Sequence, residues 1–294
     1  MIRTYCTTPA QRWRAFFVLI ALGAGRAAFA AAPAPAMPDL AQVGLPDPAA
    51  ARVLLEKFRQ SSLPGQSYLE FELRALPRRG DERIYRGQLW GSRNDQGAIT
   101  RVHLTDAAGK AHRWLLQNGA AATAWSLVGS QPVPLTAAAM LVPLISGVDV
   151  TVFDLLMPYL YWPDASLARL ERIRGRPAHA FVFRPPPAFA AAHPGVASVR
   201  GFLDTQFNAL MQAERRDADG RVLATHTLGE LKKIQDQWMV KSVDFRNEAT
   251  RDKTRLLVTA AALNLNLSAA IFEPARLNDE VAPPRTDRLV RFAP

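Results

Sequence analysis

The chain has 294 residues, of which 49% are apolar and 21% charged, with 36 Lys and Arg against 26 Asp and Glu for a formal charge of +10. A domain of this size can stabilise itself by core burial alone. The basic excess carries no aromatic-interleaved Lys/Arg patch, which argues against a nucleic-acid partner.

Residues 1–30 read as a secretory signal. Arg3, Arg12 and Arg14 precede the apolar run Ala15 to Ala24, and Ala28-Phe29-Ala30 places small residues where a signal peptidase cuts, so cleavage is expected after Ala30. The run is too short to cross about 30 Å of hydrocarbon. Its removal takes Arg3, Arg12, Arg14 and Arg26 and lowers the formal charge from +10 to +6. It also takes Cys6, the only cysteine, which leaves the mature chain without a disulfide, a Cys-ligated metal or a Cys nucleophile. Export without thiols suits the periplasm. Residues 31–46 are rich in Ala and Pro and read as a flexible tether.

Asp47-Pro48 is a helix start, with Asp as N-cap and Pro at the first helical position. Ala51, Leu54, Leu55 and Phe58 then recur at helical spacing until residues 61–65 end the element. From Gln66 the period changes to two, with Leu69, Phe71 and Leu73 alternating against Glu70, Glu72 and Arg74. Strands are expected at residues 82–92, 98–105, 112–117 and 121–128. The turns between them are short enough for an antiparallel meander.

Both faces of these strands are apolar, as in Ile84 and Trp90 against Tyr85 and Leu89, or Trp114 and Leu116 against Leu115. One face is expected to meet helices and the other a second covering. Most of the tryptophans are expected in the core, although aromatic walls also build apolar pockets.

Between Trp114 and Pro163 only Asp149 and Asp154 are charged, which means that this stretch is hidden from water. Pro132, Pro134, Pro143, Pro158, Gly119, Gly129 and Gly147 interrupt it before about 20 apolar residues accumulate, so it is not a membrane span. Two short helices are expected within it. One covers residues 136–145 and is broken by Pro143. The other opens at Thr151, with Asp154 at capping-box spacing, and is cut short by Pro158. Neither has a polar side, so each must be covered on both faces, by sheet on one and by more protein, a ligand or a membrane on the other. Such an element serves as a fixed core plug or as a moving lid.

The later half repeats the strand habit at residues 168–174, 178–184, 196–203, 209–216, 222–234, 237–247 and 253–265. With the earlier ones this makes about a dozen strands and few helices, for which one strongly curved sheet is the economical arrangement. An outer-membrane barrel fits less well. Charges fall on both strand faces, and Phe292-Ala293-Pro294 follow a Pro-rich tail with no final strand expected.

Catalytic signatures are missing from the sequence. His103, His112, His179, His193 and His226 show no metal-binding spacing and read as solvated strand or loop residues, and there is no nucleophile elbow, phosphate loop or dinucleotide fingerprint. Ser126, His103 and Asp149 can be grouped as a triad on paper, but any chain of this length permits such a choice. No catalytic residue, metal or cofactor is expected.

Several segments, taken in order and spacing, resemble the LolA-like outer-membrane lipoprotein-sorting proteins. They are Trp90, Arg101-Val102, Gly147-Val148-Asp149-Val150-Thr151-Val152-Phe153-Asp154-Leu155, Arg174-Gly175-Arg176, Gln237-Trp238 to Asp244, Lys253-Thr254-Arg255-Leu256 and Phe272 to Leu277. The chain departs from the family at Val148, where Ser is usual, and matches it weakly over 131–143. The resemblance covers residues 47–277 and leaves 278–294 as a Pro/Arg-rich tail. It implies a mainly β, α+β fold: a half-barrel of about eleven antiparallel strands, LolA/LolB-like, with short helices plugging an apolar concave face. It also implies a noncatalytic periplasmic carrier for lipids or lipoprotein acyl chains. An inner-membrane transporter and transient contact with a membrane surface are further expected partners. The alternative on the same fold is an envelope adaptor or sensor contacting a transporter or signalling regulator. Leu141, Leu144, Phe153, Leu155, Met157, Leu160 and Trp162 are expected to face the cavity, with Trp90 and Trp114 as walls.

Overall fold

The computed structural model describes residues 48–60, 65–206, 209–234 and 236–292. The expected export signal, the tether and the Asp47 cap lie outside the described residues. Helix α1 (Pro48–Gln60) follows the predicted register, with Ala51 and Leu55 buried and Leu54 and Phe58 packed beside them. Lys57 and Arg59 in its last turn suit the negative end of the helix dipole.

The strands are β1 (Gln66–Leu76), β2 (Arg83–Asn94), β3 (Gly97–Thr105), β4 (Ala111–Gln117), β5 (Thr123–Val128) and β6 (Gln131–Pro134), followed by β7 (Asp164–Ile173), β8 (Arg176–Arg184), β9 (Ser198–Asp204), β10 (Leu210–Arg216) and β11 (Val222–Leu228). After these come β12 (Leu231–Ile234), β13 (Gln237–Val240), β14 (Ser242–Asn247), β15 (Lys253–Leu265) and β16 (Val290–Arg291). One antiparallel sheet of 14 strands runs in the order β6-β5-β4-β3-β2-β1-β15-β14-β11-β10-β9-β8-β7, with β16 added to β15, and β12–β13 form a separate hairpin. The edge strands β6 and β7 do not pair with each other, so the sheet is open.

This order explains the uncharged stretch. The chain walks outward from β1 to the edge at β6, then leaves the sheet and crosses its face through residues 135–163. It re-enters at the opposite edge, β7, and walks back to the centre. A segment packed along the inside of a sheet cannot carry solvated charges.

The crossing segment also reports the curvature. The Leu156 carbonyl accepts a hydrogen bond from Asn118 at the end of β4, while Tyr159, three residues on, touches Phe183 of β8 with ring centroids 5.5 Å apart. Strands β4 and β8 stand nine pairings apart, about 43 Å in a flat sheet at ~4.8 Å per strand. Both can reach one short segment only if the sheet curls around it.

Pairing register separates the two faces. Phe71, Leu73 and Ala75 of β1, Tyr85 of β2, Val102 and Leu104 of β3, and Trp114 and Leu116 of β4 point inward to the main core with the crossing segment. Their alternates Tyr68, Trp90, Ile99 and Leu115 point outward into a second core. The second covering demanded by the sequence is the chain's own C-terminal segment, which lays Phe272, Leu277, Val281 and Leu289 on that outer face. Arg101, only 2% exposed, pins it there by donating to the carbonyls of Ile271, Arg276, Leu277 and Asp279. Arg113 adds bonds to the Asn278 carbonyl and the Glu280 carboxylate.

Several expectations need correction. The runs 222–234 and 237–247 each divide in two, because β12 and β13 leave the sheet as a hairpin rooted where Gly229 and Glu230 bond Ser242. A strand, β6, occupies Gln131–Pro134 despite two prolines, which an edge strand tolerates. The tail does carry a final strand, β16, against Ala260 and Ala261. The helix expected over 136–145 is only the 3-10 turn Ala137–Leu141, since Thr136 provides no side-chain cap and Pro143 instead bridges to Thr151. Helix α3 (Pro187–Ala192), in what reads as a Pro-rich loop, was not foreseen.

Candidate functional site

The centre of the crossing segment is α2 (Val152–Leu156). The Thr151 hydroxyl accepts from the Asp154 amide at 3.3 Å, and Asp154 Oδ2 accepts from the Thr151 amide at 2.9 Å, forming the capping box that the sequence predicts. Pro158 stops the helix, and Met157 turns left-handed at φ 48°, ψ 52°, before the 3-10 turn Pro158–Tyr161. A non-glycine residue in that region stores about 1 kcal/mol or more, so the surrounding packing must hold it there.

Asp154 has a second role. Its Oδ1 lies 2.7 Å from Nε2 of His226 on β11, and both side chains are buried. Burial works against a charge on Asp154, but the charge and hydrogen bond of His226, then Arg215 and Thr151, outweigh it and hold the carboxyl below its usual range. Asp149, the other acid of the stretch, shifts the opposite way: burial and the nearby Asp252 push it up despite bonds from Thr254 and Asn247.

Around this pair the segment is apolar. Phe153 stacks among Tyr159, Trp162 and Phe189, with centroids 5.7, 6.0 and 5.2 Å away, and the guanidinium of Arg215 lies 5.8 Å from its ring. The Tyr159 hydroxyl is buried without a hydrogen-bond partner among the described residues, and burial together with Asp154 pushes its pKa up.

Polar contacts fasten the segment to the sheet and to α1. Arg59 donates to the Leu160 carbonyl at 2.7 Å, Asn118 to Leu156 at 2.7 Å, and the Asp149 amide to the Thr254 hydroxyl at 2.8 Å. Further along, His193 approaches the Ala137 carbonyl at 2.7 Å. Gly147 takes a positive φ of 87°, and a Cβ there would meet the Arg83 guanidinium at 2.9 Å.

Of the residues expected to face a cavity, Leu144, Phe153, Leu160, Trp162 and Trp114 are buried together in the main core, with Leu141, Leu155 and Met157 packed against it. Trp90 is the exception. It stands in the outer core against Tyr68 at 5.3 Å, because strand alternation puts it on the face opposite Trp114.

Sequence reasoning missed His226, which is buried on the inner face beside Asp154 and is not solvated. It also missed Arg215 and Phe189. Period-two alternation with Ala224 could have placed His226 inward, but nothing in one sequence pairs β11 with a helix 72 positions away. The paper triad is not assembled, since register turns His103 outward and Ser126, paired with Trp114, inward. Among the described residues no group of three or more His, Cys, Asp or Glu is placed to hold a metal, and no helix is long and apolar enough to cross a membrane.

No family model matches the chain, and no curated protein matches it in sequence. Solved structures do. An outer membrane lipoprotein-sorting protein domain from Vibrio parahaemolyticus aligns at TM-score 0.66 and 14% identity, over 79% of this chain and 98% of that one. A DUF1329 family protein from Desulfovibrio piger gives TM-score 0.66 at 14% identity, over 78% and 98%. A LolA superfamily protein from Nitrosomonas europaea gives 0.59 at 18% identity, over 76% and 97%. The chain has the LolA-like fold.

Proposed function

We propose that this LolA-like chain is a noncatalytic periplasmic carrier that takes lipids or lipoprotein acyl chains into the space between the curved sheet and the crossing segment, with residues 151–162 as its lid. The observation that supports this reading is that much of the apolar interior is taken up by residues 151–162, a short apolar segment whose polar attachments to the sheet and α1 are few. Those contacts are Asp154 to His226, Asn118 to Leu156 and Arg59 to Leu160.

Magnitudes favour exchange over one-way capture. Burying a sixteen-carbon chain is worth about 12 kcal/mol at ~0.8 kcal/mol per CH2, and lifting Phe153, Leu156, Tyr159, Leu160 and Trp162 costs about 10 kcal/mol at ~2 per side chain. Cargo replaces grease with grease, so uptake and release stay near balance. Lid closure then supplies the drive for release.

The test is mass spectrometry of protein purified without detergent, together with titration of a fluorescent fatty-acyl probe. Co-purified lipid and saturable probe binding support the reading, and neither lipid nor binding refutes it. A second reading, an envelope adaptor that uses the same fold with a fixed plug, is favoured by the number of elements that pin the segment. A stoichiometric membrane partner recovered even when the interior is blocked would select it.

A further inference from the structure

The hairpin β12–β13 stands outside the main sheet and divides sharply into two sides. Ile234 and Met239 are buried against Val258, Ala261 and Leu263 of β15 and anchor it. On the other side the cross-strand pairs Leu231 with Val240 and Lys233 with Trp238 face solvent. Trp238 is 59% exposed, Val240 39% and Leu231 38%, so three large apolar side chains project together from one small ribbon. Isolated exposed apolar residues are ordinary, whereas a paired row that includes a tryptophan is not.

The charges around this row are mainly basic. Lys241 pairs with Glu230 at 3.1 Å and Lys233 with Asp236 at 3.3 Å. Lys232, though exposed, pairs with Met239 on the ribbon's anchoring side, whereas Arg174 reaches the ribbon's root by donating to the Leu228 carbonyl at 2.9 Å. Three basic side chains, Lys233, Lys241 and Arg174, therefore stand against two acidic ones, on a chain whose formal charge is +10, or +6 after the expected cleavage.

We infer that the outward side of β12–β13 docks on the surface of an anionic phospholipid bilayer. Trp238 would seat its ring at headgroup depth, Leu231 and Val240 would enter the acyl boundary, and Lys233 and Arg174 would meet the phosphates. Tryptophan beside lysine is the chemistry of a membrane–water interface, apolar at one end and wet at the other. A protein partner of neutral surface would leave the basic rim without a counterpart. The inference goes beyond the carrier reading and does not depend on the lid, because the hairpin is exposed with the lid closed.

The experiment is co-sedimentation of the full mature chain with vesicles of phosphatidylglycerol and phosphatidylethanolamine, and with phosphatidylcholine vesicles as the neutral case. Preferential binding to the anionic vesicles is expected, weakened about tenfold in Trp238→Ser, the effect of roughly 1.4 kcal/mol. Lys233→Glu, beside Trp238 on the outward side, should weaken the preference for anionic lipid. Both variants alter exposed positions, and unchanged unfolding curves confirm that they fold. Equal vesicle binding by wild type and both variants, or no binding by wild type, overturns the inference. So does a concentration-dependent dimer that Trp238→Ser dissolves. Acyl-probe binding by Trp238→Ser should match wild type, so loss of probe binding in wild type would sink the carrier reading and leave the docking result standing.

Discussion

His226 Nε2 and Asp154 Oδ1 lie 2.7 Å apart, the point at which the body of the sheet grips the segment that crosses it. Asp154 simultaneously caps α2, so one carboxylate fixes both the fold of α2 and the position of the crossing segment. Removing it in Asp154→Ala takes away the cap and leaves His226 buried without its partner. A loss of about 3–5 kcal/mol is expected from breaking a buried pair. Urea unfolding measures it, and a change under 1 kcal/mol would show that the pair does not hold the lid.

Acid should weaken the same pair. The folded Asp154 titrates below its unfolded value, so its contribution is complete above the unfolded pKa and is lost as pH falls through the depressed folded one. Lid-selective loosening is expected only below the ordinary carboxylate range. Hydrogen exchange at residues 151–162 followed downward from neutral pH tests this, and loosening already at neutral pH would contradict it.

A milder acid effect is expected from two partly buried histidines, His103 on the outer face and His179 on the inner one. Burial, and for His103 the Arg113 charge, lower the pKa of His103 and His179 below 6.5. The unfolded chain therefore binds more protons just below that value, and stability should fall as pH drops through it. His103→Gln should flatten this part of the stability-versus-pH curve; an identical slope would assign the effect elsewhere.

The crossing segment was legible through local rules: the charge desert at 114–163, the Thr151–Asp154 spacing and the stop at Pro158 all act within a few residues. The alternation that pairs Tyr85 with Leu73 inside and Trp90 with Tyr68 outside was equally readable as a pattern, but not which face was which. That depends on a segment more than a hundred residues later, the one Arg101 holds. The partners that matter most, His226 to Asp154 and Arg59 to Leu160, connect elements through the curvature of the sheet, and a single chain without its fold contains no signal for them.

The outer strap has its own prediction. Arg101→Met leaves the carbonyls of Ile271, Arg276, Leu277 and Asp279 without their donor beneath the strap. A loss of about 3–5 kcal/mol is expected, with proteolytic cleavage within 266–292 preceding cleavage of the sheet. Cleavage spread evenly along the chain would show that the strap is not separately anchored.

The inner and outer cores should differ in function. If acyl chains enter where residues 151–162 pack, Phe153→Ala should lower stability by about 3–5 kcal/mol yet tighten acyl-probe binding. Trp90→Phe should reduce stability alone, since Trp90 lies on the other face. Equal effects of both variants on probe binding would remove the distinction between the faces.

Hydrogen exchange over residues 151–162, measured with and without a saturating fatty-acyl probe, tests the lid most directly. Carriage through a displaced lid predicts faster exchange there when the probe is bound, with the β1–β15 ladder unchanged. Probe binding with exchange in 151–162 unaltered or slowed would show that the segment is fixed core and that acyl chains bind elsewhere.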